Sequence, residues 1–161
     1  MTPPSIRPLE PADLELICRH RLEMFRAMGR DEVGLAPMLR AFRAWLPPRL
    51  ADGSYFGFIA EDAGRAIGGV GLMELAWPPH PAHPGDPRRG YVCNLFVEPQ
   101  YRGRGVARGL MNAAESEFRR RGLGYAVLHA SAAGRPLYER SGWSATSEMA
   151  KALGPQEAAG A

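Results

Sequence analysis

The sequence predicts an α+β fold: a central mixed, mostly antiparallel sheet of about six to seven strands flanked by about four helices. Three observations predict it. Apolar residues recur at three- and four-residue steps over 14–28 and again over 35–46, the period of amphipathic helices. From Tyr55 the pattern changes to short aromatic and β-branched runs separated by turn residues. A glycine-arginine turn then joins the most apolar of these runs to a third helical stretch. This gives a late strand–helix–strand unit, whose strands run parallel through a right-handed crossover.

Each element has its own signal. Residues 5–9 (SIRPL) form a short edge strand limited by its prolines. Pro11-Ala12-Asp13 opens a first helix with Leu14, Ile17, Cys18, Leu22, Phe25 and Met28 on one face, stopped by Gly29. A second helix runs from about Val33 to Arg49, with Pro47-Pro48 expected to disrupt its end. Both stripes read as core. Tyr55–Ala60 and Ala66–Leu75 form a hairpin around Asp62-Ala63-Gly64. The segment Trp77–Asp86 holds four prolines with His80 and His83 between them, and is expected to form a wall or lid of a substrate pocket. Tyr91–Val97 is a central strand, apolar on both faces. A helix follows to about Arg121, then a strand at Tyr125–Ala130 and a short helix at Arg135–Ser141. A last strand is expected within Trp143–Leu153.

Composition narrows the function. At 161 residues, 45% hydrophobic and 23% charged, the chain fits a single globular domain over 4–153, with a frayed tail over 154–161. Nothing approaches 18 consecutive apolar residues, so no membrane span is expected. The opening MTPPSIRPLE lacks a secretory stretch, and a cytoplasmic location follows by default. Cys18 and Cys93 stand far apart in no CxxC pair, which excludes a disulfide framework and a cysteine-rich zinc site. Two loop histidines without a third ligand make a weak metal signal, and no metal is expected. The net charge is +3, and Lys151 is the only lysine among 20 basic residues. Arginine suits phosphate and carboxylate partners. The arginines are scattered rather than striped, which argues against nucleic acid.

The chemistry concentrates in Val97–Arg108. Glycines where a strand enters a helix let a ligand approach the main chain closely. Unpaired N–H groups and the helix dipole then form an anion site for a pyrophosphate. Arg102, Arg104 and Arg108 can add charge-assisted hydrogen bonds. A phosphate-binding loop of the GxxxxGK[ST] type is absent, and Gly103, Gly105 and Gly109 have the wrong last spacing for a dinucleotide fingerprint. A coenzyme A site remains.

At these residues the chain resembles a known family. Arg102-Gly103-Arg104-Gly105-Val106-Ala107 matches the (Gln/Arg)-x-x-Gly-x-(Gly/Ala) motif of the GCN5-related N-acetyltransferases (GNAT). Pro136–Trp143 resembles that family's second motif, and His129-Ala130-Ser131 with Gly134–Tyr138 looks like a bacterial subgroup. The resemblance covers about residues 4 to 153. It implies the three-layer GNAT-like fold and an acetyl-coenzyme A-dependent N-acetyltransferase. Acetyl-coenzyme A is then a co-substrate and a small-molecule or peptide amine the acceptor, with direct attack in a ternary complex. The fold is compatible with a homodimer. By the same resemblance, Leu95, Phe96 and Val97 offer backbone to the pantetheine arm and Gly103–Arg108 cradle the pyrophosphate. Tyr138 lies near the coenzyme sulfur. Ser131 stands where the family often has an asparagine.

A phenol near 10 is a weak acid for a thiolate near 8.5, so Tyr138 would stabilise the sulfur more than protonate it; full transfer is uphill by roughly 2 kcal/mol. Candidates for the base are Glu74, Glu98 and His129, with Asn94 as a holder of water. The competing reading is a non-catalytic acyl-coenzyme A binding module on the same fold.

Overall fold

The computed structural model describes residues 4–154. Five strands form one sheet in the order β1-β2-β3-β4-β5: β1 (Ser5–Pro8), β2 (Tyr55–Asp62), β3 (Arg65–Ala76), β4 (Arg88–Val97) and β5 (Ala126–Leu128). The first four run antiparallel; β5 joins β4 in parallel. Helices α1 (Leu14–Ala27) and α2 (Glu32–Asp52) cover one face; α3 (Val106–Arg120) covers the other, and α4 (Arg135–Arg140) follows β5. The expected class therefore holds, a mixed sheet with four helices.

The two faces of the sheet carry two cores. On the α3 side Leu72, Val92, Leu110, Met111, Ala114 and Phe118 pack together, drawn by the one apolar face of α3. On the other side Ile17, Cys18, Phe42, Leu46 and Tyr55 join α1 and α2 to β2. The β2–β3 hairpin closes through Ala63 and Gly64, both with positive φ (49° and 78°), the twist that tight hairpins require. No helix among the described residues is long and apolar enough to cross a membrane.

Three expectations need correction. The strand expected within Trp143–Leu153 does not form. Trp143 is anchored by its indole N–H to Glu115 (3.0 Å), but beyond it the chain is exposed, Met149 at 94% and Leu153 at 84%. That stretch has one β-branched residue, Thr146, and β5 offers only three residues as a partner. Among the described residues the sheet thus has five strands, not six to seven. Pro47-Pro48 do not end α2, which continues to Asp52 and stops at Gly53 (φ 76°). Proline keeps a helical φ, and fully buried Leu46 with Leu50 pins the last turns to the core. The loop Trp77–Asp86 lines no part of the main cleft described below. It folds beside the start of β4, where Arg89 lies between the rings of Trp77 and Tyr125 and donates to His83 Nε2 at 2.9 Å. Of the expected tail 154–161, all but Gly154 lies outside the described residues.

Candidate active site

The main cleft, about 1260 Å³, opens where β4 and β5 separate. β5 pairs with β4 only at Gly90, Tyr91 and Val92. From Cys93 to Val97 that edge of β4 has no strand beside it. The Glu98 N–H donates to Ile67 O on β3, and antiparallel bonding alternates residue by residue. Phe96 therefore turns its main chain toward β3, while Leu95 and Val97 turn theirs to the open edge. The Val97 carbonyl there accepts from Arg102 Nε at 3.0 Å.

Just beyond this edge lies the glycine turn. Gly103 and Gly105 take φ of 74° and 82°, which side chains rarely adopt, and Gly105 is the N-cap of α3. Among the described residues, no amide N–H from 103 to 108 makes a well-formed hydrogen bond to a protein acceptor. The first turn of a helix thus leaves its donors without protein partners at its positive dipole end, an arrangement that can hold an anion. Arg102, Arg104 and Arg108 surround it, all exposed.

Across the cleft, Tyr138 projects from α4, half-buried and edge-on to Trp143. Burial raises its phenol above the usual range, which makes proton donation harder still. Ser131 also lines the cleft, but its Oγ accepts from Gly134 N–H at 3.1 Å and so closes the turn that leads into α4. Its hydroxyl proton stays available for a second partner.

The opposite wall is built by a bulge. Leu72 pairs with Val92 and Gly71 with Asn94, so Cys93 is the extra residue of β4. The bulge turns Asn94 toward α1, where its Oδ1 accepts from Arg21 Nη1 at 2.6 Å and its Nδ2 donates to Tyr55 at 2.8 Å. Arg21 lies between the rings of Phe25 (4.9 Å) and Phe42 (4.6 Å). Burial pushes the Cys93 thiol up to about 12, so it is protonated at neutral pH and is no nucleophile. At the mouth of the cleft, Tyr91 Oη lies 2.9 Å from His129 Nδ1, and His129 Nε2 lies 2.8 Å from Glu148 Oε1.

The model of the acetyltransferase (GNAT) family matches residues 15–143. The chain belongs to the GNAT family. A GCN5-related N-acetyltransferase from Ralstonia eutropha JMP134 is 55% identical, with a TM-score of 0.92 over 93% of this chain and 98% of that one. A predicted acetyltransferase from Clostridium acetobutylicum, solved with acetyl-CoA, shares the fold at 24% identity, with a TM-score of 0.82 over 93% and 96%. The N-alpha-acetyltransferase 30 of Schizosaccharomyces pombe is 33% identical over 91 residues, 55% of this chain and 57% of that protein. The chain thus aligns with little more than half the length of that curated relative.

The GNAT cleft gathers most of the residues singled out by sequence: Asn94, Leu95, Phe96, Val97, Arg102, Ala107, His129, Ser131 and Tyr138 line it. Two carboxylates stand elsewhere. Glu74 lies between Arg88 and Arg121, each at 3.1 Å, outside the cleft lining, so the fold does not bring this candidate base to the site. Glu98 pairs with Arg19 at 2.7 Å. Sequence reading missed Arg21 and Tyr91. It also assigned Phe25 and Phe42 wholly to the core, whereas both line the cleft. Only the i,i+4 spacing of Arg21 and Phe25 hinted at a cation held against a ring.

Proposed function

We propose that this protein moves an acetyl group from acetyl-CoA to a primary amine by direct attack in a ternary complex. The observation that carries this reading is the adjacency of three features: the open edge of β4, the Tyr138 hydroxyl in the same cleft, and the unpartnered amides of 103–108 at the end that Arg102 and Ala107 line. Their order suits a long thin ligand with a diphosphate at one end and a thioester at the other.

Acetyl-CoA supplies the acyl group as an activated thioester. Leu95 and Val97 pair with the pantetheine amides as an added strand would. The amides of Gly103–Arg108, with Arg102, Arg104 and Arg108, hold the diphosphate. Fixing one reactant this way removes several kcal/mol of barrier through orientation alone. The amine nitrogen bonds to the thioester carbon as the carbon–sulfur bond breaks. The Tyr138 hydroxyl donates a hydrogen bond to the departing thiolate. The amine proton passes to His129, directly or through Tyr91, with Glu148 holding the imidazole in place. The cleft lining carries arginines and no carboxylate, and a positive surrounding disfavours an ammonium. The amine therefore arrives closer to its reactive neutral form, and a strong base is unnecessary.

The test is release of coenzyme A thiol when acetyl-CoA and the protein meet a panel of amino acids, peptides and polyamines. Turnover with some member is expected. Tight acetyl-CoA binding with no thiol release across the panel would replace the transferase by a binding module.

A further inference from the structure

The acceptor end of the cleft has an unusual charge balance. Among the described residues Arg21 and Arg30 line it, and no aspartate or glutamate does. Arg21 is the more confined. Its guanidinium is held between two aromatic faces, where water is displaced and a cation loses solvation. Elsewhere arginines close to the sheet and helices meet carboxylates, as Arg7 meets Asp13 and Glu61, and Arg121 meets Glu117 and Glu74. Among the described residues Arg21 has only the neutral amide oxygen of Asn94, through one of its five N–H groups. Its Nε is sealed from solvent with no acceptor at all. A fork-shaped cation is thus fixed in position, stacked and oriented, with its charge uncompensated among the described residues. Around it stand Met24, Phe25, Met28, Met38, Phe42 and Trp45, an apolar wall.

We infer that the acceptor carries a carboxylate beside its amine, that Arg21 binds this carboxylate, and that the apolar wall takes a hydrophobic side chain. The substrate class is that of free amino acids with apolar or aromatic side chains. The inference rests on the transferase reading above. A carboxylate supplies the missing counter-charge and matches the planar fork through paired hydrogen bonds. Polycationic amines meet like charge at Arg21 and Arg30 with no carboxylate beside those two among the lining residues, so they are disfavoured.

The experiment compares phenylalanine and methionine with their amides, which keep amine and side chain but lose the carboxylate. Thiol release with acetyl-CoA should favour the acids by about 10-fold or more in kcat/KM, the size of a charge-assisted hydrogen bond. In Arg21→Gln that preference should fall to within about 3-fold, with KM changing more than kcat. Arg21→Lys should keep part of it. A second readout needs no turnover: 3-phenylpropanoate, with coenzyme A present, should raise the Tm of the wild type and not of Arg21→Gln. Acetyl-CoA should stabilise both, which shows that the variant is folded. Amides equal to or better than acids, a preference retained in Arg21→Gln, or no stabilisation by 3-phenylpropanoate would each overturn the inference. If acetyl-CoA still stabilises the wild type then, only the acceptor class falls. If it does not, the reading beneath falls with it.

Discussion

The Oδ1 of Asn94 on β4 accepts a 2.6 Å hydrogen bond from Nη1 of Arg21 on α1, joining residues 73 positions apart at the floor of the cleft. The other end of the same amide donates to the Tyr55 hydroxyl, whose ionisation burial drives well above the usual range. Asn94 thus satisfies a cation and a phenol at once, and it does so because the bulge at Cys93 turns it inward.

Asn94→Leu should strand both partners and destabilise the protein by about 3 kcal/mol, the cost of two buried groups left unpaired. Asn94→Asp should be milder, because Tyr55 can turn its hydroxyl to donate. That aspartate would also give Arg21 a counter-charge of its own, so the preference for acids over amides should fall by about 10-fold. Thermal unfolding and the kcat/KM ratio check the two halves. Equal destabilisation by the two variants, with the preference intact, would remove Asn94 from this role.

Acid should loosen the fold through His20. The ring is 3% exposed and lies 5.0 Å from that of Phe96. Burial, reinforced by the charge of Arg19, lowers its pKa to about 4. An unfolded histidine titrates near 6.5, so the unfolded chain takes up this proton first, and the native state loses ground as pH falls from about 6.5 to about 4. The full loss from this group is about 3 kcal/mol. His20→Leu should flatten the wild-type slope across that window in urea unfolding at stepped pH. Parallel curves for the two proteins would show that His20 does not drive it.

The hairpin turn holds a correctable strain. Ala63 has φ 49°, left-handed, beside Gly64. Ala63→Asn, better suited to that conformation, should raise stability by about 0.5–1 kcal/mol. A urea midpoint unchanged or lowered would contradict this.

Tyr138→Phe removes one hydroxyl and little else, since the ring still packs on Trp143. We expect kcat to fall by about 10- to 100-fold while acetyl-CoA affinity stays within about 3-fold, the pattern of a contact made as the thiolate forms. Unchanged kcat would take Tyr138 out of the chemistry.

Much of the fold was legible because its signals are local. The stripes on α1 and α3, the two-residue turn at Ala63-Gly64 and the glycines at 103 and 105 each state a backbone requirement in a few adjacent letters. The glycine turn beside the cleft was legible for the same reason. Arg21 carries no such mark: a polar residue on α1 gains meaning only when the bulge at Cys93 and the stacking of α1 on the sheet bring it to Asn94, which the sequence offered as a holder of water and not as this contact. Trp77–Asp86 misled because a proline-rich loop advertises irregularity, not position. The strand expected after Trp143 failed because a sheet edge of three residues gave it nothing to pair with. Glu74, a candidate base by sequence, is claimed by the arginines on either side.

The account depends most on the amides at 103–108 gripping a diphosphate. The direct measurement is acetyl-CoA binding by wild type, Gly105→Ala and Gly105→Asp. A Cβ at Gly105 meets nothing within 4 Å, so alanine bears only the cost of its φ of 82° and should bind after a stability loss of about 1 kcal/mol. Aspartate brings a negative charge to the same cradle and should weaken binding by about 30-fold or more. Wild-type affinity in Gly105→Asp would contradict the account at its root.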